Sequence, residues 1–270
     1  MFDSITLGQY YQTDSVLHRL DPRVKLVGTF AYLISLFVVD SYVGYIVAAL
    51  FLAAMIFLSN VPFRYIIRGM KTIIFLLLLT VCFNLFLTPG EVIWQFGIFK
   101  ITREGLTFAI KMAVRLSLLI LGSSIMTLTT TPTQLTDALE SLLRPLKKVH
   151  VPVHEISMMM SLALRFVPTL LEETDKLMQA QKARGADMES GNLFKRVRAL
   201  IPILVPLFVS AFRRAYDIAT AMECRCYRGG TGRTRMKILK LSARDIVSFV
   251  ITAIVILGVI LCNTFMTSMI

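Results

Sequence analysis

Apolar residues in this chain come in unbroken runs about as long as a bilayer is thick, and no other feature limits its fold so strongly. A helix needs roughly 17–25 such residues to cross the hydrocarbon core, since each adds only about 1.5 Å of rise. Five runs stand out: 42–58, 106–128 and 246–266 meet that need, and 24–39 and 72–87, at 16 residues each, fall one short of it. Asp40 and Ser41 make the turn between the first two, and Thr88-Pro89-Gly90 ends the third. Hydrophobic residues make up 56% of the 270 and the mean hydropathy is +0.69, too little polar surface for a soluble chain of this size. The expectation is an all-α integral membrane protein with about five transmembrane helices.

The net charge of +12 is spread between the apolar runs instead of forming one patch, so it reads as a topology signal and not as a nucleic-acid surface. Arg19, Arg23 and Lys25 precede the first run, and Arg64, Arg68 and Lys71 separate the second from the third. Both sites are expected in the cytoplasm, because basic residues resist translocation. The loop 89–105 then falls outside, and 129–244, with 19 of the 29 Lys and Arg, falls inside. This gives an N-terminal membrane region (1–128), a cytoplasmic region (129–244) and a last span (245–270), with the N-terminus cytoplasmic and the C-terminus outside. The first eleven residues lack the basic start of a cleavable signal. Cys82, Cys224, Cys226 and Cys262 are too scattered for a disulfide framework. The stretch from Trp94 to Lys100 is too short to span and reads as a re-entrant or interfacial segment. Lys111 and Arg115 share one face of the fourth span. Lys111 can snorkel to the headgroups, whereas the deeper Arg115 must face protein or water.

The region 129–244 carries three long amphipathic helices. The first opens with Thr131-Pro132-Thr133-Gln134, a capping box with Pro at the first helical position, and continues with leucines at helical spacing to Lys147-Lys148. The second covers about 155–184, with Pro168 expected to kink it and Met158-Met159-Met160 offering a soft contact surface. The third covers about 192–226, where Pro202 and Pro206 are expected to bend or interrupt the helix. The two longer helices read as rods against the membrane, too polar to span. A basic, Gly-rich loop from Arg228 to Arg235 leads to the last span.

The ends of these two helices resemble each other. Ala180–Gly185 reads Ala-Gln-Lys-Ala-Arg-Gly, and Ala221–Cys226 reads Ala-Met-Glu-Cys-Arg-Cys, 41 positions on. Each places an Arg between two small residues at a helix end. Such a tip projects one long cation from a slim end, and a guanidinium can bind carboxylates with its planar fork. One such Arg suits the helix dipole and nothing more, but two similar tips suggest two similar sockets.

These residues carry a family resemblance. The chain resembles the transmembrane T component of energy-coupling factor transporters, the EcfT type. The matching motifs are His18-Arg19-Leu20-Asp21-Pro22-Arg23-Val24-Lys25, Thr130-Thr131-Pro132, Leu164-Arg165-Phe166-Val167-Pro168, Ala180–Gly185 and 214–227. The resemblance implies a scaffold that joins two cytoplasmic ATPases, alike or unlike, to a membrane substrate-binding (S) component, a single one or one of several interchangeable ones, for uptake of a vitamin or other micronutrient. Carried over, the ATPase-docking tripeptides are Ala183-Arg184-Gly185 and Cys224-Arg225-Cys226. The second departs from an Ala-Arg-Gly form. Apolar faces of the same helices would hold the S component, with Met158, Met159, Met160, Leu164 and Val167 as candidates.

Catalytic chemistry is missing. Gly229-Gly230-Thr231-Gly232-Arg233-Thr234 lacks the spacing and lysine of a phosphate-binding loop, so ATP must be hydrolysed elsewhere. His150 and His154 are separated by Pro152, which argues against one metal-binding helical face, and Cys224 with Cys226 has no second pair. No cofactor is expected. An intramembrane enzyme acting on lipid-linked phosphate would draw on Arg115 and Lys111, but the spans offer almost no acid, Ser/His pair or metal site to complete it. A permease that binds substrate by itself is the other alternative.

Overall fold

The computed structural model describes residues 10–96, 99–186, 193–230 and 241–267. In chain order its elements are α1 (Pro22–Val38), α2 (Tyr42–Ser59), α3 (Phe63–Leu87), β1 (Val92–Phe96), β2 (Phe99–Thr102), α4 (Arg103–Thr129), α5 (Pro132–Leu143), a 3₁₀ helix (Arg144–Val149), α6 (Val153–Ala183), α7 (Leu193–Cys224) and α8 (Ala243–Thr267). They fall into two compact units, one over Leu139–Lys237 and the other over Gly8–Ala138 with Ile238–Ile270.

Local chemistry sets the boundaries. Asp21 caps α1 by accepting from the Arg23 amide at 2.9 Å, with Pro22 at the first helical position. Ser41 caps α2 through the Gly44 amide, and Asn60 ends it in the left-handed region. The Thr131–Gln134 capping box forms as expected, with the Gln134 amide donating to Thr131 Oγ1 and the Thr131 amide donating to Gln134 Oε1, both at 3.2 Å.

Among the described residues, four segments are long and apolar enough to cross a membrane: Tyr42–Ser59, Arg103–Thr129, Arg198–Cys224 and Ala243–Thr264. Three match expected spans. The first expected span folds as α1 with 17 residues, about 25 Å, and the third as the apolar part of α3, Ile73–Leu87. The helix α3 starts ten residues before its apolar stretch, because nothing after Pro62 breaks it. The fourth segment corrects the reading of α7 as too polar to span. Lys195, Arg196 and Arg198 lie at its start, the stretch 199–212 carries no charge, and Arg213, Arg214, Asp217 and Glu223 follow. Pro202 and Pro206 do not interrupt α7, nor does Pro168 interrupt α6.

Within Trp94–Lys100, expected as a re-entrant or interfacial segment, the described residues lie in two strands. β1 and β2 pair antiparallel, with Gln95 opposite Lys100 and Phe96 opposite Phe99. The hairpin is tied at its base by the Arg103 amide donating to Glu91 O at 2.9 Å and the Glu91 amide donating to Glu104 Oε2 at 2.8 Å.

The membrane unit has a core of Leu36, Val39, Ala48, Tyr45, Leu118 and Val259, drawn from α1, α2, α4 and α8. Polar clamps close it at both ends. At one, the buried carboxylate of Asp245 accepts from the Asp21 and Ser242 amides at 2.7 Å each, while Lys25 Nζ donates to Thr129 O at 2.9 Å. There His18 Nε2 lies 3.0 Å from Tyr11 O and Nδ1 lies 2.7 Å from Ser15 Oγ. A carbonyl can only accept, so Nε2 carries the proton. At the other end Arg115, the deep cation of the fourth span, finds its partners. Its Nη2 donates to Val39 O at 2.6 Å and Asp40 Oδ1 at 3.1 Å, and its Nε donates to Tyr45 Oη at 2.9 Å. Lys111 sits 5.1 Å above the Tyr42 ring. Asn263 on α8 joins the same end, donating to Val38 O and accepting from the Asp40 amide.

Candidate functional site: two arginine-tipped helix ends

The two tips have the same local structure. At the end of α6 the Gly185 amide donates to Lys182 O and the Ala186 amide to Gln181 O, both at 3.0 Å. At the end of α7 the Cys226 amide donates to Glu223 O at 2.8 Å and the Tyr227 amide to Met222 O at 3.0 Å. Both are Schellman caps, and in both the Arg stands immediately before the residue that turns left-handed. That residue is Gly185 at φ 82° in one and Cys226 at φ 53° in the other. The repeat seen in the sequence is therefore a repeat in backbone geometry.

Ala183, Arg184, Gly185, Cys224, Arg225 and Cys226 are all exposed. Neither guanidinium makes an ion pair or side-chain hydrogen bond among the described residues, so both cations remain available. Arg214 and Glu173, by contrast, do pair: Arg214 Nη2 donates to Glu173 Oε2 at 2.7 Å and ties α7 to α6.

The helices run antiparallel where they meet. Leu162, Ala163, Phe166 and Leu170 of α6 face Ala211, Ala215, Ile218 and Met222 of α7 across an open groove of about 360 Å³. Beyond Met222 the chain passes Arg225 and brings Gly230 against His154, at the start of α6. Arg184 ends the same helix thirty residues later, about 45 Å along its axis. The two arginines thus mark opposite ends of one helix pair.

The expected S-component residues divide. Met159 (58% exposed) and Met160 (39%) are open, while Met158, Leu164 and Val167 are half-buried. None of the five lines the groove, which uses their neighbours. A larger apolar surface lies on α7, where Leu200, Leu204, Phe208, Phe212 and Tyr216 recur every four residues with 44–74% exposure. The amphipathic pattern read for 192–226 did not separate this stripe from the face at Ala211, Ala215 and Ile218. Four-residue spacing could have separated the two faces.

The two histidines do not converge. His150 is exposed and left-handed, whereas His154 faces Glu140. Of the Gly-rich loop expected at 228–235, only Arg228, Gly229 and Gly230 lie within the described residues.

Comparison with known proteins fits this arrangement. The model of the CbiQ family, described as cobalt transport protein, matches residues 13–238. An energy-coupling factor transporter transmembrane protein EcfT of Ruminiclostridium cellulolyticum is 51% identical over 261 residues, covering 97% of this chain and 98% of its own. The protein of that name from Clostridium kluyveri is 53% identical over 250 residues (92% and 93%), and that from Bacillus subtilis 45% over 262 (97% and 98%). On matches of this length and identity, joined to its apolar helices, the chain belongs to the EcfT family of membrane components of energy-coupling factor transporters.

Proposed function

We propose that this chain is a non-enzymatic coupling scaffold, transmitting the ATP-driven movement of two cytoplasmic ATPases to a membrane S component for vitamin or micronutrient uptake. The observation that carries the reading is the pair of Schellman-capped arginines at opposite ends of one helix pair. A spacing of about 45 Å along α6 suits two separate protein sockets better than one. In each socket an acidic group receives the guanidinium, and the blunt cap lets the chain turn away at once. When the ATPases close on nucleotide the sockets shift, and α6 and α7 carry that shift as continuous rods.

The exposed stripe of α7, with Met159 and Met160 of α6, supplies an apolar surface for the S component, and Met158, Leu164 and Val167 border it. That use accounts for a helix apolar enough to span while keeping Arg213, Arg214 and Asp217 in mid-helix. In this arrangement residues 129–244 are cytoplasmic between membrane segments 1–128 and 245–270, the N-terminus is cytoplasmic, the C-terminus is outside and the protein sits in the plasma membrane.

The test replaces Arg184 and Arg225 together by Ala and purifies the tagged chain from membranes. The expected result is loss of both ATPases with membrane insertion retained. Undiminished co-purification would remove the docking role. Vitamin binding by the purified chain alone would instead favour a self-sufficient permease.

A further inference from the structure

The two tips differ in what stands behind them. At Gly185 an added Cβ would meet nothing within 4 Å. At the second tip the chain goes on from Cys226 to a left-handed Gly229 (φ 82°) and then packs Gly230 on the His154 ring. A Cβ at Gly230 would lie 2.7 Å from Cδ2 and 2.9 Å from Cγ of that ring, so only glycine fits without displacing it. The ring is fixed in turn: His154 Nδ1 lies 3.2 Å from Glu140 Oε1 on α5. Since a carboxylate only accepts, Nδ1 is the donor. Ser157, buried one turn along α6, donates to Glu140 Oε2 at 2.8 Å and holds the carboxylate from its other side.

We infer that Glu140, His154 and Gly230 form a brace that positions the Arg225 tip and ties it to α5, an arrangement not repeated at the Arg184 tip among the described residues. This rests on the docking reading of the two arginines. The brace makes the ends unequal. A push at Arg225 reaches α5, which begins two residues after α4 ends, whereas a push at Arg184 must first travel the length of α6. The three are positioning residues.

The test measures binding of the full chain, in lipid nanodiscs, to the purified ATPase pair, with Gly230→Ala and Glu140→Gln each combined with Arg225→Ala and with Arg184→Ala. Each brace variant is expected to weaken binding about tenfold, the size of coupling seen between groups in contact. It should add little further loss once Arg225 is gone, and its full loss once Arg184 is gone. His154→Ala should partly restore Gly230→Ala by vacating the ring's space, which keeps the test open should Gly230→Ala alone fold poorly. Wild-type binding by both brace variants beside a defective Arg225→Ala overturns the brace and leaves docking intact. Losses that multiply equally with either arginine show a general structural role and overturn it too. Wild-type binding by Arg225→Ala sinks the docking reading itself, and the brace with it.

Discussion

At the scale of single residues, the second tip contains a mismatch between chemistry and backbone. Cys226 occupies the left-handed position that Gly185 fills at the first tip, and a side chain there costs about 1 kcal/mol. Cys226→Gly is therefore expected to raise the stability of the helix end by about that amount, read as slower amide exchange at Tyr227 and Cys226's neighbours. His18 gives a pH-dependent contribution. Burial holds its pKa below the ordinary histidine value, with the Lys25 cation acting in the same sense against weaker opposing hydrogen bonds. The folded state thus prefers neutral His18, and its contribution is complete above pH 6.5. As pH falls below that, the unfolded chain takes up a proton first, and stability declines until the folded pKa is reached. Thermal midpoints of the purified chain should fall between pH 7.5 and 5.5, and His18→Gln should flatten that fall; an equal fall in the variant would exclude His18 as its source. Asp245 is the residue that the sequence concealed. Its amide partner at Asp21 lies 224 positions away, so no local pattern points to the contact. Asp245→Ala should cost about 2–3 kcal/mol, the range for hydrogen bonds to a charged group left unmade, measured by denaturant or thermal unfolding in detergent.

At the scale of elements, what was legible depended on whether the signal was local. The cap at Thr131 and the turn at Asp40–Ser41 are read within four residues, and they stand where the sequence put them. The arginine tips were visible as a repeated tripeptide, but the shared Schellman geometry was not, since Gly and Cys do not look alike as helix stops. The hairpin of β1 and β2 was missed because its strands are four and five residues long inside a loop too short to span. The two apolar faces of α7 were missed as separate surfaces because both obey helical periodicity and only packing says which is covered. That distinction has a measurable consequence. Phe208→Glu or Phe212→Glu, on the open face at 62% and 73% exposure, should abolish co-purification of an S component while ATPase binding stays within about twofold. The same change at Ala215, on the groove side, should disturb the α6–α7 pair and both partners together.

At the scale of the whole molecule, the membrane unit is built as a bundle fastened at its ends. Arg115 is the fastening whose loss is easiest to isolate, since its side chain is 13% exposed while Asp40 opposite is 79% exposed. The greater share of its binding comes from Val39 O and Tyr45 Oη, which lie inside. Arg115→Gln is therefore expected to lower the thermal midpoint by several degrees and Asp40→Asn by much less, because an exposed ion pair contributes only about 0–1 kcal/mol. Equal effects from the two would show that the ion pair, and not the buried hydrogen bonds, does the holding. The open stripe along α7 bears on how much of this protein a cell can keep. A copy synthesised without a companion to cover five large apolar side chains has only other orphan copies to adhere to, and it becomes a substrate for clumping or for proteases. Under the proposed function, abundance of the working assembly then follows the scarcest subunit.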